Sequence, residues 1–239
     1  MDKHREIAVV VGGSSGVGLA TVRRLAARGM KVIAASRNAA KLEQSLAGLR
    51  GDIEAKAVDA GDRMALDAFF AEIGRVDHLI ITLSGGEGAG PFASLDLAAL
   101  ERGFAAKFWP HLNTLQAALP VLAKSGSVTL VTAISARIAN PGVSGLAAIN
   151  GALESMIGTL ARELAPARVN AVSPGVIDTA WWDATPADIK AQLFEQQANT
   201  LPVGRVGQPD EVAQTIELLA GNGFITGTVI PCDGGLHLL

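Results

Sequence analysis

The chain has 239 residues and not one tyrosine. No phenolic hydroxyl is available to any chemistry it performs. One cysteine, Cys232, excludes a disulfide framework within the chain. Four histidines and that cysteine are dispersed without ligand spacing, so no metal site is expected. Basic residues do not exceed acidic ones (20 against 23, net −3), whereas a nucleic-acid footprint needs a basic excess or stripe. No apolar run approaches the roughly 18–20 residues that cross a membrane. The opening MDKHREIAVVVGG lacks the long apolar run of a signal peptide before its first glycines. Repeats, low-complexity tracts and linkers are missing too. These absences point to a soluble, cytoplasmic protein with neither nucleic acid nor membrane among its partners.

What is present is apolar: 49% of the residues, enough for one large core and one domain over 1–239. Short apolar runs alternate with helical patterns. Strands are expected at Ile7–Val11, Lys31–Ala35, Ile53–Val58, His78–Leu83, Ser127–Thr132, Val169–Val172 and Val229–Cys232. Helices are expected at Val17–Arg28, Ala39–Leu49 and Asp62–Ile73, with two long ones at about 100–123 and 143–164. Gly29 stands where a helix C-cap belongs. Strand–helix alternation implies crossover connections, hence an α/β fold: a doubly wound parallel sheet with helices on both faces, in three layers.

The loop Val11-Gly12-Gly13-Ser14-Ser15-Gly16-Val17-Gly18 joins the first strand to the first helix. Its G-x-x-x-G-x-G spacing differs from G-x-G-x-x-G, but its strand–glycines–helix context is the one that fingerprint requires. Glycines let the backbone approach a ligand, and the amides of the helix start favour an anion. Gly12, Ser14, Ser15, Gly16, Val17 and Gly18 are the candidate contacts; the alternative is a tight turn with no ligand. The second strand ends in Ala35-Ser36-Arg37-Asn38, with no acid for a ribose 2′-hydroxyl and with a guanidinium suited to a 2′-phosphate. Ser36 and Arg37 thus favour NADP(H) over NAD(H), against a plainly solvated arginine. Asp59, followed by Ala60, either lies near an adenine or caps the third strand.

Together, the glycine loop, NTLQAALP (113–120), LARELAP (160–166), RVNAVSPGVIDT (168–179) and ITGTVIPCDGG (225–235) resemble the short-chain dehydrogenase/reductase family from end to end. The resemblance implies a Rossmann-type sheet of about seven strands and a small-molecule substrate. It implies nicotinamide contacts at Pro174, Gly175, Ile177 and Thr179, and a further cofactor contact at Ser84. It also implies pairing of the two long helices across a dimer or tetramer interface.

Members of that family use a Tyr-x-x-x-Lys pair, a serine and an asparagine. Aligned on LARELAP, the tyrosine position falls on Leu146 and the lysine position on Asn150. Asn140-Pro141-Gly142 fixes the same register from the other side. The serine position falls on Ala133 and, aligned on QAALP, the asparagine position on Lys107. The Asn-Asn-Ala-Gly expected after the fourth strand reads Ile81-Thr82-Leu83-Ser84.

Carbonyl reduction needs a donor near the developing alkoxide. Lys107 is the first candidate; otherwise it pairs with a phosphate or carboxylate, or is solvated. His111, one turn on, shares its helix face, with a core or interface histidine as the alternative. Pro110 between them lacks the amide that would bond the Ala106 carbonyl, which predicts a kink or loosened turn beside Lys107. Ser135 and Ser144 flank the missing positions, either as hydroxyls brought into the cleft or as cap and turn residues. Thr132 can bond a substrate or simply end a strand. Asn150 can bond a ribose hydroxyl.

Residues 180–207 form the expected substrate lid, its helix beginning near Pro186 with Thr185 as N-cap. Trp181-Trp182 suggests an apolar or aromatic ligand, or packing of the lid. Three readings follow: an NADP(H)-dependent oxidoreductase with a non-standard proton donor, an NADP(H) sensor or inactive partner subunit, and a lyase or isomerase reusing the pocket.

Overall fold

The computed structural model describes residues 5–239; the first four residues of the expected 1–239 domain lie outside it. Seven strands form one sheet: β1 Ile7–Val11, β2 Lys31–Ser36, β3 Asp52–Ala57, β4 Val76–Ile81, β5 Leu122–Val131, β6 Arg168–Pro174 and β7 Val229–Cys232. Their spatial order is β3-β2-β1-β4-β5-β6-β7, and every pairing is parallel. Central β4 and β6 are buried at every position, including Asp77 and His78 of β4 and Arg168, Asn170 and Ser173 of β6.

Among the described residues the helices are α1 Gly16–Ala27, α2 Ala39–Leu46, α3 Arg63–Ile73, α4 Leu97–Ala106, α5 Phe108–Ala118, α6 Ser144–Glu163, α7 Ala187–Thr200 and α8 Pro209–Gly221, and both faces of the sheet are covered. On one face Leu66, Phe70, Leu115 and Ile157 meet Val9, Leu79 and Val128 of the sheet. On the other, Val22, Leu25, Leu42, Ile216 and Leu219 meet Val10, Val32 and Val172. Each such large side chain, once buried, contributes about 1.5–3 kcal/mol. The result is the three-layer, doubly wound α/β sandwich.

From β3 at one edge the chain crosses to β4 on the far side of β1. The carboxyl ends of β1 and β4 therefore border a topological switch point, where open α/β sheets form a crevice.

Three sequence expectations need correction. The long helix at about 100–123 is two helices, broken at Lys107 (φ −123°, ψ −60°), where Pro110 predicts a loosened turn. Pro110 occupies the first turn of α5, where the amide it lacks has no intrahelical role, so the proline tolerates a new start and cannot continue α4. β5 begins at Leu122, which pairs with Val76 across a register irregularity, ahead of the exposed Lys124 and Ser125 that interrupt the apolar signal. Finally, the position before α7 is Pro186 instead of Thr185, with no side-chain cap.

Candidate active site

The glycine loop turns sharply because Gly12 has φ +97°, a region open to glycine. Its two amides with Gly13 donate to the Ala35 carbonyl at 2.9 and 3.1 Å, tying the loop to β2. A Cβ on Gly18 would overlap the Gly12 carbonyl oxygen and lie 2.6 Å from Thr82 Oγ1; one on Gly12 would lie 2.5 Å from the same hydroxyl. Thr82 bonds Val11 through both its amide (2.8 Å) and its hydroxyl (3.1 Å). Thus Thr82 is the floor of the loop, a role hidden in a segment that sequence reading marked only as altered. Ser15 heads α1 without a side-chain cap bond, so the first-turn amides have no hydroxyl partner there. Ser14, Ser15, Gly16 and Val17 are half-buried around them.

Beyond β2, Ser36 bonds the Asn38 carbonyl at 3.3 Å and Arg37 is exposed, with no ion pair among the described residues. Asn38 caps α2 through the Lys41 amide. Asp59 accepts from the Gly61 amide at 2.9 Å in the loop after β3, and Ala60 beside it is buried.

Opposite the loop, Pro174 ends β6 and Gly175 packs so closely on Asp233 that a Cβ would lie 2.7 Å from its Cα. Ile177 is buried and bridges Gly207. A Cβ on Gly16 would lie 3.3 Å from Thr179 Cγ2, so Thr179 faces the glycine loop. The lid starts there. Trp182 anchors it, donating from Nε1 to the Ile177 carbonyl at 3.0 Å and meeting Trp181 and Phe194 edge-on at 4.7 and 5.4 Å. Trp181 stays about half exposed, and its indole nitrogen would lie 3.6 Å from a Cβ on Gly86, across from the lid. No residue of α7 is buried, so the aromatic contacts and the Lys190–Asp178 ion pair (2.7 Å) are what fasten it. A cavity of about 370 Å³ lies beside the lid's far end, lined by Ile177, Val203, Arg205, Glu211 and Cys232 but by no residue of the glycine loop.

At the carboxyl end of β5 lies a buried polar cluster. Lys107, at the α4–α5 break, donates from Nζ to the Thr132 carbonyl at 3.0 Å. Burial pushes its ammonium down to about 8, opposed by the Glu154 carboxylate. Thr132 Oγ1 in turn donates to Glu154 Oε1 at 2.7 Å, and Arg137 Nε donates to the other oxygen at 2.8 Å. Glu154 and Arg137 were not singled out in the sequence. The signal was present: Glu154 lies one turn beyond Asn150, on the same face of α6.

His111 is fully buried and donates from Nδ1 to the Lys107 carbonyl at 2.8 Å. Burial, reinforced by the Lys107 charge, pushes its imidazole down to about 3. It packs as a neutral core histidine beneath Lys107. Asn150, also buried, donates to the Leu146 carbonyl (2.9 Å) and to Ser135 Oγ (3.1 Å), while its Oδ1 has no partner among the described residues. Ser135 Oγ is the acceptor in that bond and keeps its own proton to donate. Ser144 and Ser84 are exposed; Ser144 opens α6 but makes no cap bond. Leu146 is half-buried one turn before Asn150. The Asn140-Pro141-Gly142 turn accepts the Gly90 amide at 2.8 Å, which ties the loop after β4 to the start of α6.

A family model described as enoyl-(acyl carrier protein) reductase matches residues 11–237. The chain is 31% identical to the 3-oxoacyl-(acyl-carrier-protein) reductase FabG of Thermotoga maritima, over 97% of each chain. It is 32% identical to cis-4-hydroxycyclohexanecarboxylate dehydrogenase of Sinomonas cyclohexanicum, over 96% of this chain and 95% of that one. The chain belongs to the short-chain dehydrogenase/reductase family. Among solved structures of this family, a small-chain dehydrogenase in complex with NADPH superimposes with a TM-score of 0.85 at 29% identity, covering 98% of this chain and all of the other. A second, described as a short chain dehydrogenase/reductase family protein, gives 0.85 at 30% identity over the full length of both. The Rossmann-type architecture is that of these relatives. No described helix is long and apolar enough to cross a membrane.

Proposed function

We propose that this short-chain dehydrogenase/reductase is an NADP(H)-dependent oxidoreductase acting on a carbonyl or alcohol of a small apolar or aromatic substrate, with Lys107 as a non-standard proton donor. The observation that carries the reading is the Lys107 ammonium, buried at the carboxyl end of β5 and held 3.0 Å from the Thr132 carbonyl. An inert side chain would serve a purely structural position equally well and at lower cost, since burying a cation is expensive.

The residues present fit the nucleotide. Gly12 and Gly18 let the loop close on itself and on Thr82, since a Cβ at either would strike the Gly12 carbonyl or the Thr82 hydroxyl. First-turn amides of α1 favour the anion, and Arg37, with no ion pair among the described residues, suits a 2′-phosphate. The orphaned Oδ1 of Asn150 suits a ribose hydroxyl as donor. Pro174, Gly175, Ile177 and Thr179 line the opposite wall. When bound, the reduced nicotinamide supplies hydride. Lys107 would stabilise and protonate the oxyanion, a task that Leu146 in the tyrosine position cannot perform. Trp181 and Trp182 would cover an apolar substrate and exclude water. The solved NADPH complex and the reductase and dehydrogenase relatives support the cofactor and the reaction class.

Self-association as a dimer or tetramer belongs to the same proposal, supported by the exposed Trp109, which meets Phe108 edge-on, Phe108 in turn meeting Phe104 of α4 edge-on. So does a cytoplasmic location.

The test is NADPH consumption with a panel of quinones, diketones and aromatic aldehydes, in the parent and in Lys107→Ala. Turnover that the substitution depresses is the expected result; turnover it leaves unchanged removes Lys107 from the mechanism. Tight NADPH binding with no turnover across the panel would favour the sensor reading.

A further inference from the structure

The buried cluster at the end of β5 holds more than one charged group, and they are linked in series. Lys107 Nζ is bonded to the main-chain carbonyl of Thr132; the hydroxyl of the same residue is bonded to Glu154; Glu154 is bonded to Arg137. The Glu154 side chain is 10% exposed and Arg137 35%, so the series runs from the interior to solvent. No other carboxylate bears on Lys107 among the described residues. From α5, His111 is neutral. From α4, Arg102 turns away to Glu87 at 2.7 Å. The loop after β4 presents only Gly85, whose Cβ position lies 3.6 Å from that of Lys107.

We propose that Glu154 is a positioning residue for Lys107: through Thr132 it aims the carbonyl that holds the ammonium, and its charge keeps that ammonium in place, while Arg137 sets how much of that charge Lys107 feels. This rests on Lys107 as the proton donor only for its catalytic meaning; the coupling between the two side chains stands or falls separately. A buried cation needs a nearby anion or must give up its proton. Thr132 Oγ1 has an alternative acceptor, the Val172 carbonyl at 3.2 Å, so the hydroxyl remains satisfied without Glu154 and the chain can fold around a neutral replacement.

The test reads Lys107 directly. The full-length protein is labelled with 13C at the lysine ε-carbon, the Lys107 signal is assigned by its loss in Lys107→Ala, and its titration midpoint is followed by NMR. Glu154→Gln should lower the midpoint by about one pH unit. Arg137→Ala should raise it, because the carboxylate is relieved of its competing cation. Glu154→Asp, which keeps the charge, should stay near the parent. Opposite signs for the first two are the signature that a merely structural role would not give. An unchanged midpoint in Glu154→Gln, a fall in Arg137→Ala, or an equal fall in Glu154→Asp would each overturn the proposal. Turnover distinguishes the two readings: if Lys107→Ala keeps its activity while the midpoints move as expected, the catalytic role fails and the coupling holds. If activity is lost and the midpoints do not move, the coupling fails alone.

Discussion

The ammonium of Lys107 is bonded at 3.0 Å to the main-chain carbonyl of Thr132, the residue that follows β5. This one contact joins the helix break, the end of a central strand and the crevice.

The contact carries a pH dependence. An acid must hold its proton, and burial pushes Lys107 down to about 8. Carbonyl reduction should therefore be full below that pH and fall as pH rises through it. Lys107→Ala should lose the alkaline limb and about 10²-fold in kcat/KM. Profiles of kcat/KM between pH 6 and about 9.5 check both; an alkaline limb that survives the substitution assigns it to another group.

Arg37→Ala should weaken NADPH about tenfold and leave NADH unchanged, because only the phosphorylated ribose calls on the guanidinium. Fluorescence titration of both nucleotides measures the ratio. Equal affinities in the parent would remove Arg37 from the site.

Gly18→Ala places a methyl group on the Gly12 carbonyl and the Thr82 hydroxyl. The loop must shift, so nucleotide binding should fall at least tenfold, with a stability loss of about 1–3 kcal/mol from overpacking. Thermal melts with and without NADPH separate the two effects: the melting shift produced by the nucleotide should shrink more than the melting point of the free chain.

His111 gives a stability prediction. Its folded-state value, pushed down to about 3, lies below the value near 6.5 of an unfolded histidine. The unfolded chain thus binds more protons between these limits, and the stability from burying a neutral ring is complete above about 6.5 and lost as pH falls towards 3. Between pH 6.5 and 5 the loss is about 2 kcal/mol. Denaturant unfolding across that range should show a shallower acid slope in His111→Leu; an identical slope would assign the acid sensitivity elsewhere, His78 being the other buried imidazole held low by burial.

Much of the fold was legible because two-sided parallel strands carry apolar stretches, Val9-Val10-Val11 in β1 and Leu79-Ile80-Ile81 in β4, and Gly29 and Asp62 mark helix ends plainly. The first half of β5 was not, because main-chain pairing needs no apolar side chain. Pro110 announced the helix disturbance beside Lys107, where the break lies, but not the carbonyl partner of the buried ammonium. That partner is a main-chain atom, which no residue spacing reveals. Thr82 was equally hidden: its part in the glycine loop depends on β4 lying next to β1, a fact of topology. Ser135 could be named but not its use, since the Asn150 amide claims it across 15 positions of sequence.

The Trp181–Trp182–Phe194 stack has one more consequence. With no tyrosine in the chain, ultraviolet emission comes from three indoles, and two of them sit on the lid. The protein is thus its own optical probe. Trp182, whose nitrogen is bonded to Ile177, should emit at shorter wavelength, and half-exposed Trp181 should be open to quenchers. Movement of this flap over a guest can be followed in stopped flow without attaching any dye.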